Sequence, residues 1–279
     1  MKLILCADDF AQTAAIDQAI IQLIKQKRLS AASCMTLSPR WQQAAKLITP
    51  SMRKQAAICL HLDFTHFGNA YSHPKLILFS SLRLLPKKEI EASITLQLDL
   101  FEAELGTKPD YVDGHQHVHQ LPQIRDALIR IMQQRYGKNM PWLRVAKPPL
   151  SEGIKGLIIR LLGASALRRK ALTANISCTE DLLGVYAFDG DEAAYKARFV
   201  QWLKEGQALK TKTVPLLMCH PSLGQDCLEP NGIDLDNLKL KEDAIYPARV
   251  NEFKVFNSNF MRQTLNDFEV ELVKTPITT

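Results

Sequence analysis

Cysteine and glycine are both sparse in this chain, and their arrangement excludes several common classes of site. The six cysteines are dispersed, form no Cys-x-x-Cys pair and stand mostly among apolar neighbours. We therefore expect reduced cysteines in the core rather than a disulfide framework or a zinc knuckle. The twelve glycines form no phosphate-binding loop, and neither a Gly-x-Ser-x-Gly elbow nor a His-Glu-x-x-His helix is present. These absences exclude enzymes that rely on a glycine-rich phosphate loop, on a Gly-x-Ser-x-Gly nucleophile elbow or on a His-Glu-x-x-His metal-binding helix.

Long apolar runs and blocks of one charge are missing as well. The apolar stretch at residues 1–7 is too short for a signal peptide, and no run approaches the length of a membrane span. The formal net charge is +6, but the basic residues are scattered. The short basic cluster at residues 168–170 is more typical of a solvated helix face than of a nucleic-acid surface. We expect a cytoplasmic protein with no membrane span and no nucleic-acid partner.

The composition is that of a soluble globular protein with an ample core, since 46% of residues are hydrophobic and 23% are charged. A length of 279 residues lies in the range in which α/β barrels fold as one unit. We therefore expect a single domain over residues 1–279. Turn-rich segments near residues 64–87 and 221–247 are interpreted as loop insertions.

Short apolar runs alternate with segments of helical periodicity along most of the chain. The predicted strands are residues 2–7, 33–37, 56–62, 111–113, 142–145 and 213–219. The predicted helices are residues 14–27, 41–48, 88–105, 121–134, 154–172 and 192–206. Strands that alternate with helices predict a parallel sheet in an α/β fold.

Three of the seven histidines occur at alternate positions in one run, Asp113-Gly-His-Gln-His-Val-His119. The run follows a predicted strand, and its side chains share one direction only while the backbone stays extended. One or two of them can then converge on a metal ion while another braces the loop. A polar turn with satisfied histidines is the alternative interpretation.

Four predicted strands end in reactive side chains, and the carboxyl ends of parallel strands share one rim where ligands bind. Each taken alone has a structural explanation, such as a helix cap at the paired aspartates or a turn residue before a proline. It is less expected that the reactive side chains at all four strand ends have only a structural role, so we predict that they form one common site. The residues at these ends are Asp8, Asp9, His61, Asp113, His115 and His220.

Two histidine nitrogens and one aspartate oxygen form a suitable set of ligands for a divalent ion with open positions. This mixed set does not choose among zinc, magnesium, manganese, nickel and iron. Strand alternation sends Asp8 and Asp9 to opposite sides, so we expect different roles, one binding metal and the other accepting a proton. Alternation also separates Cys219 from His220, which disfavours a thiol nucleophile activated by its neighbour.

The same motifs carry a family resemblance. Four segments, Ala7-Asp-Asp-Phe10, His61-Leu-Asp-Phe-Thr65, Asp113 to His119 with Pro122, and Met218-Cys-His-Pro221, together resemble the YdjC-like carbohydrate deacetylases. That family includes chitooligosaccharide deacetylases. Their order and spacing match over nearly the whole chain.

The resemblance implies an irregular (β/α) barrel with parallel strands, related to the polysaccharide deacetylases. It also implies one divalent ion, magnesium or zinc, and an N-acetylated sugar as the substrate that loses its acetyl group by hydrolysis. A homodimer is expected because parts of the family form dimers. By position, the resemblance implies Asp9, His61 and His115 as metal ligands, Asp8 as general base, His220 as general acid, and His117 and Arg144 as residues that hydrogen-bond the base or substrate.

The chain departs from the family pattern at Ala11, where glycine usually follows Asp-Asp-Phe. Because alanine lacks glycine's freedom to adopt positive φ, we expect a differently shaped first turn. Substrate specificity is expected in the two loop insertions, with Tyr71, Phe79, Tyr186 and Phe188 as candidate stacking platforms.

Two other functions fit the residues. A metal-dependent phosphoesterase would commonly use two ions about 3.5–4 Å apart, whereas the ligands counted here suffice for one. A sugar-binding protein without turnover would need neither Asp8 nor His220.

Overall fold

The computed structural model describes residues 1–68, 71–224 and 243–277. The strands are β1 (Lys2–Phe10), β2 (Ala31–Cys34), β3 (Ala57–Leu62), β4 (Tyr111–Gly114), β5 (Trp142–Leu143), β6 (Leu182–Leu183), β7 (Leu216–Cys219) and β8 (Glu271–Leu272). The helices are α1 (Ala14–Lys25), α2 (Trp41–Ala45), α3 (Pro50–Gln55), α4 (His73–Ser81), α5 (Lys87–Leu105), α6 (Pro122–Tyr136), α7 (Gly153–Leu161), α8 (Ala164–Thr173), α9 (Glu192–Ala208), α10 (Tyr246–Phe256) and α11 (Asn259–Asp267).

The sheet is parallel, as the alternation of strands and helices predicts. The strands lie in the order β5-β4-β3-β2-β1-β7-β6, and β8 pairs with the start of β1. β1 therefore occupies the centre of the sheet, and its carboxyl end is flanked by those of β2 and β7. Side chains at these three ends are brought to one rim.

The sheet curls into a barrel that closes incompletely. Among the described residues its two outer strands, β5 and β6, do not pair with each other. The segments beside them are joined by hydrogen bonds that include Leu143 N to Ser177 O at 2.9 Å, Thr179 N to Leu143 O at 3.1 Å and Leu182 N to Lys147 O at 3.3 Å. The predicted irregular (β/α) barrel is confirmed in this form.

Apolar residues on β1 explain why it lies at the centre. Leu3, Leu5 and Ala7 belong to the large core formed with the helices, whereas Ile4 and Cys6 belong to a smaller core on the other face of the sheet. A strand covered on both faces is a nearly continuous apolar run. Asp8 and Asp9, also buried, are the polar exception at its end.

Two predicted segments differ in the structure. The helix expected over residues 154–172 is divided into α7 and α8 at Gly163, where φ is +122° and a Cβ atom would stand 2.4 Å from Gln120 O. Only glycine fits this close approach. The insertion expected near residues 64–87 contains α4. Most of the one expected near 221–247 lies outside the described residues.

The cysteines of the described residues lie in the core, as expected. Cys6, Cys34, Cys59, Cys178 and Cys219 are buried and free, while the sixth cysteine lies in residues 225–242, outside the description. Over the described ranges no helix has both the length and the apolar character needed to cross a bilayer.

Candidate active site

The paired aspartates end β1 at a β-bulge. The pairing of β1 with β2 shifts register between Ala7 and Phe10, and Asp9 has a φ of +69°, in the left-handed region that non-glycine residues rarely adopt. The bulge interrupts strand alternation, so Asp8 and Asp9 both line one cavity. The expectation that alternation sends them to opposite sides is wrong, although their contacts differ.

The turn after the aspartates keeps a positive φ without glycine. Ala11 has a φ of +76°, so the expectation that alanine would lose this conformation is wrong. Its N–H donates to Asp17 Oδ1 at 2.6 Å, and its carbonyl accepts from Ser38 Oγ at 2.6 Å. These buried hydrogen bonds hold the backbone in the left-handed region despite the steric cost of the alanine Cβ.

Asp9, His61 and His115 form what we call the outer cluster. One ligand atom from each lies within 4.8 Å of the others, with Asp9 Oδ1 at 3.5 Å from His61 Nε2 and 3.1 Å from His115 Nδ1. Ligand atoms that stand about 2.1 Å from one ion are about 3.0–3.4 Å apart in octahedral or tetrahedral geometry. The donor set and its spacing therefore fit a divalent ion.

Asp113 orients His61 for that role. His61 Nδ1 lies 2.6 Å from Asp113 Oδ1, so it donates its proton there and leaves Nε2 facing Asp9. Ser33 Oγ donates to the other oxygen of Asp113 at 2.7 Å. A carboxylate behind a histidine is a common support for metal ligands because it fixes the tautomer and the ring orientation.

Cys6, Asp8 and Asp113 form a second group, the inner cluster, whose ligand atoms also lie within 4.8 Å of one another. The guanidinium of Arg144 fills its centre. Arg144 Nη1 is 2.7 Å from Asp8 Oδ1 and 2.9 Å from Asp113 Oδ2, and Nη2 donates to Asp8 Oδ2 at 2.9 Å. Burial alone would raise the pKa of Asp8, but Arg144, together with His61 and His220, outweighs burial and holds that pKa below its usual range.

A second arginine, Arg249, forms an ion pair with the other aspartate, Asp9. Arg249, from α10, donates through Nη2 to Asp9 Oδ2 at 2.7 Å and through Nε to Asp243 Oδ2 at 2.6 Å. Burial would raise the pKa of Asp9, but Arg249 and His115 hold it well below its usual range. Sequence reasoning missed Arg249, which lies on a helix rather than at a strand end and belongs to no motif.

His220 follows β7 and faces Asp8, with its Nε2 3.9 Å from Asp8 Oδ2. Burial lowers the pKa of His220 to about 4, so the imidazole is neutral near pH 7. Its backbone N–H donates to Glu252 of α10, whose other carboxylate oxygen accepts from Tyr186 Oη at 2.6 Å. Burial raises the pKa of Glu252 to about 7. Glu252 was also missed, since no sequence pattern marks a buried acid on α10.

The histidine run is not extended. Residues His115–Gln120 form a 3-10 helix in which Gln116 and His117 have positive φ, so the three histidines diverge. His115 joins the outer cluster, while His119 Nε2 donates to Arg144 O at 2.7 Å. His117 lines the cavity but has no hydrogen bond to Asp8, and its Nδ1 has no partner among the described residues. Of the two residues expected to hydrogen-bond the base or the substrate, Arg144 bonds Asp8, the residue expected to be the base.

Asp63 fixes the loop after β3. Its carboxylate accepts from the backbone N–H groups of residues 65–68 at 2.6–2.9 Å. Gln97 on α5 bonds both the N–H and the C=O of Asp63. The third residue of the His61-Leu-Asp-Phe segment therefore has a structural role, which the sequence reasoning had not assigned.

The site opens into a cavity of about 530 Å³. The five residues predicted to carry the chemistry lie together on its floor: Asp8, Asp9, His61, His115 and His220. Its wall is largely apolar and includes Ile154 and Ile158 of α7 with Phe188. Of the four aromatic residues expected as stacking platforms, Phe188 is the one that lines this cavity.

The sequence profile of the YdjC-like protein family matches residues 2–267. A human protein named carbohydrate deacetylase is 25% identical over 173 residues, which cover 56% of this chain and 51% of that protein. A Salmonella typhimurium protein named chitooligosaccharide deacetylase is 24% identical over 181 residues, which cover 65% of this chain and 58% of that protein. The chain thus spans about half the length of the curated relatives it matches.

Solved structures show the same fold. An Enterococcus faecalis V583 protein, provisionally assigned to cellobiose-phosphate cleavage, is 19% identical with a TM-score of 0.70, covering 98% of this chain and 97% of that one. A peptidoglycan N-acetylglucosamine deacetylase is 10% identical with a TM-score of 0.50, covering 98% and 85%. At such identities the likeness establishes the fold alone, and the expected parallel-stranded α/β barrel is the fold that these structures share.

Proposed function

This chain belongs to the YdjC-like protein family, and on that premise we propose that it is a metal-dependent carbohydrate N-deacetylase. The reaction is hydrolysis of a linear amide, in which the N-acetyl group of an amino sugar or oligosaccharide is released as acetate. Asp9, His61 and His115 would hold one divalent ion, magnesium or zinc. The outer cluster is the observation that carries the proposal, because its donor spacing fits an ion beside an ionised carboxylate and a neutral imidazole.

The chemistry of an ion at this position suits amide hydrolysis. When bound, a divalent ion polarises the acetyl carbonyl and lowers the pKa of a nearby water molecule. Asp8 is the proposed general base. Since Arg144 keeps its pKa low, Asp8 is ionised and ready to accept a proton, but it is a weak base that needs an acidified water.

His220 is the proposed general acid for the leaving amine. Because burial lowers its pKa to about 4, the free imidazole is neutral near pH 7 and must gain a proton before it can donate one. Its Nε2 is 3.9 Å from Asp8 Oδ2, so the proton taken from water has a short path to it. In this scheme Asp8 accepts one proton from water, and His220 receives that proton and donates it to the leaving amine.

The inner cluster supports a single ion rather than two. A two-ion phosphoesterase needs a second set of free ligands about 3.5–4 Å from the first ion. The inner cluster has suitable atoms, but the Arg144 guanidinium bonds Asp8 and Asp113 there. A second cation in that space would meet a buried positive charge, which favours the deacetylase over the phosphoesterase.

The deciding experiment is an acetate-release screen of N-acetylglucosamine, chitooligosaccharides and N-acetylated lipid-linked sugars, with and without a chelator. We expect release that stops with chelator and returns with magnesium or zinc. Hydrolysis of a phosphate ester at two ions per chain, without acetate release, would favour the phosphoesterase. Tight sugar binding without acetate release would favour the sugar-binding protein. The cytoplasmic location, the single domain over residues 1–279 and the homodimer stay predictions.

A further inference from the structure

Helix α7 carries an apolar face that the described residues leave uncovered. Ile154, Leu157, Ile158 and Leu161 recur at the spacing of one helix face, and between 42% and 78% of each is exposed. We call these four residues the α7 stripe. Isolated exposed leucines are ordinary, but a contiguous apolar patch on a monomer marks an interaction site.

The α7 stripe is continuous with the catalytic cavity. Ile154 and Ile158 belong to both surfaces, since they also line the cavity that contains Asp8 and His220. Leu162, immediately after α7, continues the apolar lining on the cavity side. An apolar path therefore leads from the polar floor, along one helix, to the outer surface.

We propose that the α7 stripe is a subsite for a hydrocarbon chain attached to the N-acetylated sugar. This inference rests on the proposed deacetylase function and names the substrate class as amphiphilic glycosides. The sugar would place its acetyl group over the floor while the chain leaves the cavity along α7. A plain oligosaccharide would leave the stripe exposed to water, so the apolar surface of the stripe would contribute no binding free energy.

The charges of α7 favour a chain of the substrate over an anionic membrane surface. Interfacial helices keep free lysines and arginines beside their apolar face. Here Lys155 Nζ donates to Tyr186 O at 2.7 Å and lies 4.0 Å from the Phe188 ring. Arg160 Nη1 donates to Pro148 O at 3.1 Å. Both cations of the helix are bound to the protein's own backbone.

The size of the stripe also argues against a second copy of the chain as its occupant. Stable interfaces bury about 800 Å² and about 20–30 residues on each partner. The α7 stripe offers four side chains on a nine-residue helix. That area suits one alkyl chain.

The test compares methyl and octyl β-glycosides of N-acetylglucosamine, used below the micellar concentration. Binding is measured by calorimetry on the full-length Asp8→Asn variant, so that turnover does not interfere. A fully buried methylene strengthens binding about fourfold. For a chain held against an open face we expect the octyl glycoside to bind about 10- to 100-fold more tightly than the methyl glycoside.

Paired substitutions assign that difference to the stripe. Leu157→Gln with Leu161→Gln should reduce the octyl-to-methyl ratio by about tenfold, since glutamine keeps helix propensity but removes apolar surface. The matched control is Leu96→Gln with Leu172→Gln, two helical leucines that are 50% and 51% exposed and lie outside the cavity lining. The control should leave the ratio unchanged.

The outcomes separate this inference from the proposed function. Equal affinity for both glycosides, or a ratio that the α7 variant does not change, overturns the subsite. Chain-dependent binding with no acetate release by the wild-type protein overturns the deacetylase but keeps the subsite. A third outcome is an octyl-to-methyl ratio near one together with dimerisation, or with binding to anionic phosphatidylserine vesicles. If the α7 variant abolished that dimer or that vesicle binding, the stripe would be assigned to a second copy of the chain or to a membrane instead.

Discussion

The inner and outer clusters each bring three possible ligand atoms within 4.8 Å of one another, yet they differ in what stands between their members. In the inner cluster, Arg144 bonds both carboxylates. In the outer cluster, Asp9 Oδ1 and the two imidazole nitrogens face one another with no lysine or arginine of the described residues between them, and Arg249 bonds the remaining oxygen of Asp9. The inner cluster is fully buried, whereas in the outer cluster His115 is partly exposed toward the cavity.

The difference teaches that ligand spacing alone does not define a metal site. A buried carboxylate needs a positive partner, and an arginine or a metal ion can each supply that charge. Where the arginine fills the space, the carboxylate is kept ionised, as the proposed proton transfer requires. Where it stands behind the carboxylate, the front is left for an ion. The following predictions test this division.

Removing an imidazole from the outer cluster should have the largest effect. We expect His61→Ala or His115→Ala to lose the bound metal and to lower acetate release to the level of the chelated protein, because one of three ligands is gone. Metal content after dialysis and initial rates measure both effects. His73→Ala, which lies on the cavity lining but outside the cluster, should keep its metal. Unchanged metal affinity in His115→Ala would show that the ligand assignment is wrong.

Changing the inner cluster should separate turnover from metal binding. Asp8→Asn is expected to lower the rate of acetate release about 10²–10⁴-fold, the usual contribution of a positioned base. Its metal content should stay at the wild-type level. Asp181→Asn, at a buried aspartate outside the cavity, should change neither quantity. Loss of metal in Asp8→Asn would contradict the assignment of metal binding to the outer cluster alone.

Arg144→Met should destabilise the protein strongly, since it leaves Asp8 and Asp113 buried without their shared cation. Breaking a buried ion pair costs about 3–5 kcal/mol in unfolding free energy. Urea unfolding followed by circular dichroism measures it. Arg130→Met removes a surface pair with Glu91 and should cost no more than about 1 kcal/mol. Equal losses in the two variants would contradict the stabilising role of Arg144.

The outer cluster should bind metal more tightly as the pH rises. Burial lowers the pKa of His61, but Asp113 and Asp8 outweigh it and raise that pKa to about 10, so metal displaces a proton. Affinity should increase by up to about tenfold per pH unit between about pH 7 and pH 9. In the metal-free protein, stabilisation by the charged His61 is complete below about pH 6.5 and is lost as the pH rises through about 10. Titration calorimetry in buffers of different ionisation enthalpy detects the proton, and a pH-independent affinity would contradict its release.

The smallest effect is expected at the turn behind both clusters. Ala11→Gly relieves a left-handed alanine, but it adds freedom to the unfolded chain and removes a buried methyl group. These contributions offset each other, so the unfolding free energy should change by less than about 1 kcal/mol. Ala19→Gly, in the interior of α1, should cost about 1 kcal/mol or more. An equal loss at both positions would show that Ala11 is not strained.

Much of the fold was predictable because strand and helix periodicities are strong in the longer elements. β5 lies within the strand predicted over residues 142–145, whereas β6, which also has two residues, is too short for any period to be visible and was missed. The floor of the site was predictable because parallel strands end at one rim. The bulge at Asp9 was not, since it depends on register with β2, and Arg249 and Glu252 reach the site from a helix that carries no motif.

The two arginines also determine when the centre of the sheet can form. Asp8 lies in the first strand of the sequence, but 136 residues separate it from Arg144, and 240 residues separate Asp9 from Arg249. Until those partners arrive, the central strand carries two carboxylates with nothing to neutralise them in the interior. β1 therefore precedes both of its cationic partners by long stretches of chain, and assembly of this barrel depends on contacts of very high sequence separation, which slow folding.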